Sequence, residues 1–550
     1  TGVSSLTRQV SREVRNACHC QVSIDHAPGA ELVALSKTGA TLTGIPRDAV
    51  WTTRYGNPGR QCITPTDSTS ASEMSWSKRQ QDKLTRHLSG TSLPRGSQPL
   101  GCCYGGHQFG HWAGQLGDGR VATLGELRVI VQLKGIGKTP FSRGGDGKAG
   151  EPLLPSAEYL FSEAFIGLGL GAAVTIAVCS TGEGTVTRDN HPAGSGALQR
   201  SPGAILCRTA PSFLRFGSFE LPARRGELDI VRRLADFCRR HLSPHLKADE
   251  VLSGSVPSLV EKTLPATARM VASWQALGFC HGVLNTDNFT LLGIGIDFGP
   301  CGFMERYDPA WCPNESDSAL RYTFQNQPDA SAWNCERLAE AFSCLIGVSG
   351  IAEANKAFSP AFDAAYGLHL QRKLGLTGME LGSDWVKLLR RADADSCEMM
   401  DVSSDARFVL ELFRLMSSCR TDFTRTWRSL IDVPALSDAL HARTECMGSF
   451  APIDGEPEVS TEDEKVLRPV IDVLRAAQTS TEHLRHWAAW ILEYMARIDS
   501  KGIGRLHPGG EEGRQERLDT MRKSNPAFVL RAAALEQALK AVQEGGKTPV

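Results

Sequence analysis

"HGVLNTDNFTLLGIGIDFGP", residues 281–300, gathers His281, Asp287, Asn288 and Asp297 into seventeen positions. The apolar "LLGIGI" predicts a short buried strand that delivers Asp297 at its end, followed by Phe298 and Gly299. Asn288 lies nine positions earlier, in a loop expected to open after a helix. A carboxylate and an amide oxygen brought together across such a hairpin are hard oxygen ligands of the kind Mg²⁺ takes, with water and phosphate filling the rest of its shell. Asp-Phe-Gly alone reads equally well as a turn capped by Asn288. Joined to "HGVLNTDN" upstream, the metal reading prevails.

Outward from that stretch the texture divides. Beyond Leu228, apolar residues at i, i+3 and i+4 in "LDIVRRLADFCRRHL", "SLVEKTLPATARMVASWQALGF", "SAWNCERLAEAFSCLIG" and "EHLRHWAAWILEYMARI" predict helices. From Tyr104 to Phe216, "RVATLGELRVIVQLKG", "AVTIAVCST" and "GAILCRTAPSFLRFGSFE" have strand texture. Residues 1 to about 100, rich in Ser, Thr, Gly and Arg, predict loop or disorder. The expected architecture is α+β with two lobes: an N-terminal extension over 1–100, a small β-rich lobe over 101–222, a large helical lobe over 223–430 holding the metal site, and a C-terminal helical extension over 431–550. A cleft between such lobes is where a ligand is expected.

The totals exclude several classes of function. A formal charge of -1 and a pI near 6.9 leave no global electrostatic case for nucleic acid or an anionic membrane surface, so a phosphate site must be local. The most apolar run, "FIGLGLGAAVTIAV" (165–178), is shorter than the roughly 20 residues of a spanning helix. Sixteen cysteines contain no C-x-x-C pair and read as scattered thiols. Position 1 is Thr rather than Met, which leaves the expectation that a natural start, with any targeting segment, precedes it.

Other charged and glycine-rich stretches suit an anionic ligand. "YGGHQFGHWAGQLGDGR" (104–120) carries Gly114, Gly117 and Gly119 and ends in Arg120; its backbone N–H groups can approach phosphates, although tight turns alone also explain the glycines. "VQLKG" offers Lys134 at a strand end, and "KTPFSRGGDGK" (138–148) adds Asp146 and Gly147. Glu158, in the first turn of a helix expected to begin at Pro155, is a partner for Lys134, with Glu163 as its rival. Arg208 and Arg215, set in apolar sequence, require anionic partners, phosphates in preference to internal carboxylates.

Laid on the kinase pattern H-R-D-L-x-x-x-N, "HGVLNTDN" puts Val283 where a catalytic Asp stands, and valine accepts no proton. Asp287 is the nearest carboxylate. Together "YGGHQFGHWAGQLGDGR", "LKGIGKTPFSRGGDGK", "APSFLRFGSFE" and "GFCHGVLNTDNFTLLGIGIDFGPCGFMERYDP" resemble the selenoprotein O (SelO, YdiU) family from about Tyr104 to Gly347, with "NPAFVLRAA" (525–533) matching again. The resemblance implies a protein-kinase-like fold and a protein adenylyltransferase that moves AMP from ATP to Ser, Thr or Tyr hydroxyls of proteins, with the nucleotide reversed so that its α-phosphate is exposed. It further implies that Lys134, Arg208 and Arg215 bind phosphate, with Gly117, Gly119 and Arg120 in the nucleotide loop and Asp146 and Gly147 contributing from the second loop. Asn288 and Asp297 would hold Mg²⁺, with Mn²⁺ as the alternative ion, Asp297 also facing the nucleotide, and Asp287 would accept the hydroxyl proton. The family's association with mitochondria or plastids comes with it. Three departures stand out: "GELR" replaces a longer hairpin before Lys134, "AGEPLLPSAE" carries Pro152 and Pro155 before the helix, and the terminal "GGKTPV" lacks the Cys or selenocysteine pair of some members. An ATP-binding pseudokinase and a conventional kinase are the competing expectations.

Overall fold

Side-chain alternation builds the sheet that carries the charged residues. The computed structural model describes residues 17–45, 77–126, 129–143, 149–150, 153–189, 198–242, 256–382, 385–391, 403–435, 465–499 and 511–543. Its strands are β1 (His19–Gln21), β2 (Glu31–Leu35), β3 (Leu100–Cys102), β4 (Gly105–Gln108), β5 (His111–Gln115) and β6 (Val121–Glu126). They continue as β7 (Ile130–Lys134), β8 (Ala149–Gly150), β9 (Val174–Asp189), β10 (Leu198–Ala210), β11 (Phe279–Cys280) and β12 (Gly302–Phe303). The main sheet runs β1-β3-β6-β7-β10-β9-β2, with β8 also paired to β10, and its pairings are antiparallel.

On β7, Val131 and Leu133 point into a small apolar cluster with Ile176, Ile205 and Cys207. With a period of two, Gln132 and Lys134 therefore take the opposite face. The register places Arg208 of β10 opposite Gln132 and Leu206 opposite Lys134, so both cations emerge on one face. The expected strands in 120–135 and 173–181 are present, and β9 extends well past the second. β1 and β2 come from the N-terminal stretch expected to be loop, and they supply both edges of the sheet.

The helices in the order of the chain are α1 (Lys37–Thr43), α2 (Lys78–Leu88), α3 (Leu153–Leu168), α4 (Gly217–Arg224), α5 (Leu228–His241) and α6 (Val256–Leu277). They are followed by α7 (Gln327–Ala341), α8 (Ser343–Asn355), α9 (Phe358–Leu374), α10 (Trp385–Arg391), α11 (Ser404–Cys419) and α12 (Phe423–Ser429), then by helices over Ile471–Ala476, Thr481–Arg497, Glu511–Ser524 and Ala532–Gln543. α3 starts at Leu153, two residues before the expected Pro155, because a proline is tolerated anywhere in the first turn, where N–H groups lack intrahelical partners. It is the bridge between halves: Tyr159 packs toward Val178 and Leu206 of the sheet, while Phe161 and Phe165 enter the helical core with Phe279, Phe298 and Phe303.

Two expectations fail locally. "FGSFE" forms the start of α4 instead of strand, since the strand texture ends at Ala210. "LLGIGI" forms no strand, only single bridges from Gly295 to Ala172 and Phe289; the left-handed Gly293 turns the chain before a ladder can grow. The C-terminal helices dock on the helical core through Trp490 Nε1 to the Phe408 carbonyl (3.0 Å) and a two-pronged Arg531–Asp422 pair (2.6 Å each). Among the described residues, no helix is long and apolar enough to cross a membrane.

Candidate active site

Five charged side chains meet where β7, β10, α3, the loop between β10 and α4, and the chain at Asp297 converge. Lys134 Nζ donates to Glu158 Oε2 (2.7 Å) and to Asp297 Oδ1 (3.0 Å). Arg208 Nη1 donates to the same Asp297 oxygen (2.5 Å) and to Glu158 Oε1 (3.2 Å), while its Nε and Nη2 grip Gln132 Oε1 (3.2 and 3.1 Å). Arg215 Nη1 donates to Asp297 Oδ2 (2.6 Å) and to the main-chain oxygen of Asp287 (2.7 Å), which ties the two acidic positions of the opening motif to one guanidinium. Glu158 is the partner of Lys134; Glu163, its rival, has a buried Oε1 without a hydrogen bond.

Burial pulls each charge toward neutrality, and proximity reverses that pull. Burial alone would raise the Asp297 carboxyl, but Arg208, Lys134 and Arg215 outweigh it and hold the group well below the usual carboxylate range. Burial opposes the charge on Arg208, and Asp297 and Glu158 restore it. Asp297 also adopts a left-handed backbone (φ 59°), a strained conformation for a residue with a side chain and one that clusters at functional sites.

The turn Thr286–Asn288 is a short 3₁₀ segment. Asp287 is buried, and burial raises its carboxyl to about 6, against the lowering effects of Arg215 and of the Gln108 amide. Asn288 spends Nδ2 on the Val283 carbonyl (2.9 Å), leaving Oδ1 as its remaining polar atom. His281 is a brace: its Nε2 donates to the Ile296 carbonyl (3.2 Å), Nδ1 accepts from the Val283 N–H (3.3 Å), and burial lowers it to about 4, so the ring is neutral.

The glycine-rich stretch divides in two. Its first half is the β4–β5 hairpin. Its second half is a turn near the cations, where Gly117 (φ 139°) lies so close to Phe141 that an added Cβ would stand 2.6 Å from the ring. Gly119 follows, and the Arg120 carbonyl accepts from the Gly135 N–H (2.8 Å) just beyond Lys134; among the described residues the Arg120 guanidinium enters no ion pair. Between the glycines lies Asp118, unmarked by any pattern in the sequence, a buried carboxylate bonded to the Cys102 N–H (2.9 Å) and raised by burial against the pull of Arg215. Tyr104, equally unmarked, has its ring 4.7 Å under Arg215. Asp146 and Gly147 lie outside the described residues. Among the described residues no three His, Cys, Asp or Glu side chains cluster as metal ligands, so a metal here would draw on one carboxylate, one amide oxygen and its substrate.

Lys134, Arg208 and Arg215 thus converge on one aspartate, beside a glycine turn and the second carboxylate of Asp287. The chain belongs to the SelO family: the family described as "Protein adenylyltransferase SelO" matches residues 62–549. The protein nucleotidyltransferase YdiU of Nitrosospira multiformis is 34% identical over 98% of this chain and 86% of its own length. The YdiU of Tolumonas auensis is 36% identical over 99% and 89%. The mitochondrial protein adenylyltransferase SelO of Mus musculus is 35% identical over 83% and 73%.

Proposed function

We propose that this chain, a nucleotidyltransferase by family, moves AMP from ATP to Ser, Thr or Tyr hydroxyls of proteins in a kinase-like two-lobe arrangement. The observation that carries this reading is the convergence of Lys134, Arg208 and Arg215 on Asp297: three cationic donors gathered at one point suit the phosphate oxygens of a polyanion. In the reaction the acceptor oxygen bonds to the α-phosphorus, the bond from that phosphorus to the β-phosphate oxygen breaks, and pyrophosphate leaves with both electrons. Charge then grows on the departing phosphates, where buried cations stabilise it most. In this reading Asp287 takes the hydroxyl proton. Its carboxyl near 6 is ionised at neutral pH and basic enough to accept a proton in the transition state.

Asn288 Oδ1 and the Asp297 carboxylate have the oxygen chemistry that suits Mg²⁺, or Mn²⁺, bound together with ATP. That ion would neutralise phosphate charge and orient the triphosphate. A rival reading, an ATP-binding scaffold without turnover, draws on Asp297 having both oxygens engaged by cations. A bacterial relative and one named mitochondrial are 36% and 35% identical to the chain, which fits one activity common to both settings.

Labelled ATP tests the reading. With Mg²⁺, label from the α-phosphate is expected on protein and label from the γ-phosphate is not. γ-Label would mean a conventional kinase, and no label from either would favour the scaffold. Asp297→Ala should abolish transfer.

A further inference from the structure

The β4–β5 hairpin sits on the catalytic turn through three consecutive residues. The His107 N–H donates to Thr286 Oγ1 (2.7 Å), Gln108 Nε2 donates to both carboxylate oxygens of Asp287 (3.3 and 3.4 Å), and the Phe109 N–H donates to Tyr322 Oη (2.8 Å) and Asn285 Oδ1 (3.3 Å). The seat admits no slack: at Gly106 (φ 154°) an added Cβ would stand 2.8 Å from Thr286 Oγ1. From behind, His107 Nδ1–H donates to the buried Glu220 carboxylate (2.5 Å), while its Nε2 accepts from Arg224 (3.1 Å). Phe109 holds a left-handed backbone (φ 51°) to complete the turn. Gln108 is thus fixed on both sides by neighbours whose main chains are anchored.

We propose that Gln108 is the positioning residue for the proton acceptor: its amide bridges the two Asp287 oxygens and fixes the plane of the carboxylate against the incoming hydroxyl. This rests on the adenylyl-transfer reading above. Arg215 holds the main-chain oxygen of Asp287 and the Thr286 hydroxyl accepts from the His107 N–H, whereas among the described residues Gln108 is the side chain that donates to the carboxylate itself. Fixed orientation matters because a misplaced reacting group loses rate even when the ligand remains bound.

The test compares full-length wild type, Gln108→Ala and Gln108→Glu, with Mg²⁺, α-labelled ATP and casein as the probe acceptor, the chain's own labelling being read alongside. Gln108→Ala should lower kcat about tenfold with the KM for ATP within about twofold of wild type. Gln108→Glu, equal in shape but presenting an oxygen to the Asp287 carboxylate, should be worse than Ala. A space-filling role would reverse that order, because the isosteric Glu would then outperform Ala, and it would overturn the proposal. An unchanged kcat in Gln108→Ala also overturns it, as does a drop in ATP affinity equal to the drop in rate. Wild type that places no α-label on protein refutes the adenylyl-transfer reading itself, and the inference falls with it.

Discussion

The molecule buries cations in two different ways. Around Asp297, Lys134, Arg208 and Arg215 share two carboxylates in a hydrogen-bonded cluster. Near the C-terminal helices, Lys373 at the end of α9 is 2% exposed and forms no ion pair among the described residues; its Nζ faces the rings of Trp427 (4.7 Å) and Phe423 (5.8 Å). Burial consequently lowers Lys373 from 10.5 to about 7, whereas Asp297 is driven the opposite way, toward permanent charge. A cluster that keeps its charges ionised in a desolvated place can act on a polyanion. A lone ammonium that discharges at neutral pH serves packing.

The sharpest test of that contrast removes Asp297. Asp297→Ala leaves Lys134 and Arg208 sharing Glu158 and Arg215 without its ion pair, so stability should fall by about 3–5 kcal/mol as well as transfer being lost. Asp297→Asn keeps the volume and should retain more stability while losing transfer by roughly 10³-fold. Denaturant unfolding and α-label incorporation read the two effects separately. If Asp297→Ala unfolds like wild type, the cluster is not coupled as described.

Arg208→Lys comes next. The guanidinium contacts Gln132, Glu158 and Asp297 through three nitrogens, a fork that an ammonium cannot reproduce. Stability should fall by about 1–3 kcal/mol from unmet buried groups, and transfer by roughly 10²-fold. Wild-type rates would show that only the charge matters.

How much of this was legible in the sequence depends on distance along the chain. Lys134, Arg208, Arg215 and Asp297 each stood out locally, as a charge in or beside an apolar run, and resemblance supplied their common purpose. Gln108 did not, because its link to Asp287 spans 179 positions and nothing in "GGHQFG" marks a hairpin that docks on a remote turn. Asp118 was masked by the glycines around it, which read as phosphate loop when one of them is required by Phe141. β1 and β2, three and five residues long, are too short to show periodicity against a polar background. The strand expected over "LLGIGI" failed for the reverse reason: its apolar residues are buried as a turn, with Gly293 breaking the ladder.

Asp287 lies between the two extremes, a buried carboxylate near cations but raised to about 6 from 3.8. With the folded value above the unfolded one, its contribution to stability is fully present below about pH 4 and is lost as pH rises through about 6. At pH 7 the buried charge therefore opposes folding. Asp287→Asn should stabilise the chain by about 1–3 kcal/mol at pH 7 while losing transfer. The wild-type rate should fall about tenfold per pH unit below 6, since only the ionised form accepts a proton. A variant less stable than wild type at pH 7 would refute the assignment of burial as the dominant influence.

The smallest effect is expected at Lys373. Its folded value is depressed, so its contribution to stability is present above about 10.5 and lost as pH falls through about 7. Lys373→Met keeps the length of the side chain, removes the desolvated charge and forfeits its attraction to Trp427, two terms of opposite sign. At pH 7 the variant should match or exceed wild type by about 1 kcal/mol, with α-label transfer unchanged. Raising the pH from 7 toward 10 should favour wild type progressively, because the lysine is then neutral in the fold and the cost of discharging it from the unfolded chain shrinks as the pH nears 10.5. A variant that loses activity with its fold intact would tie the aromatic cage to the centre, and the division between acting and packing cations would no longer hold.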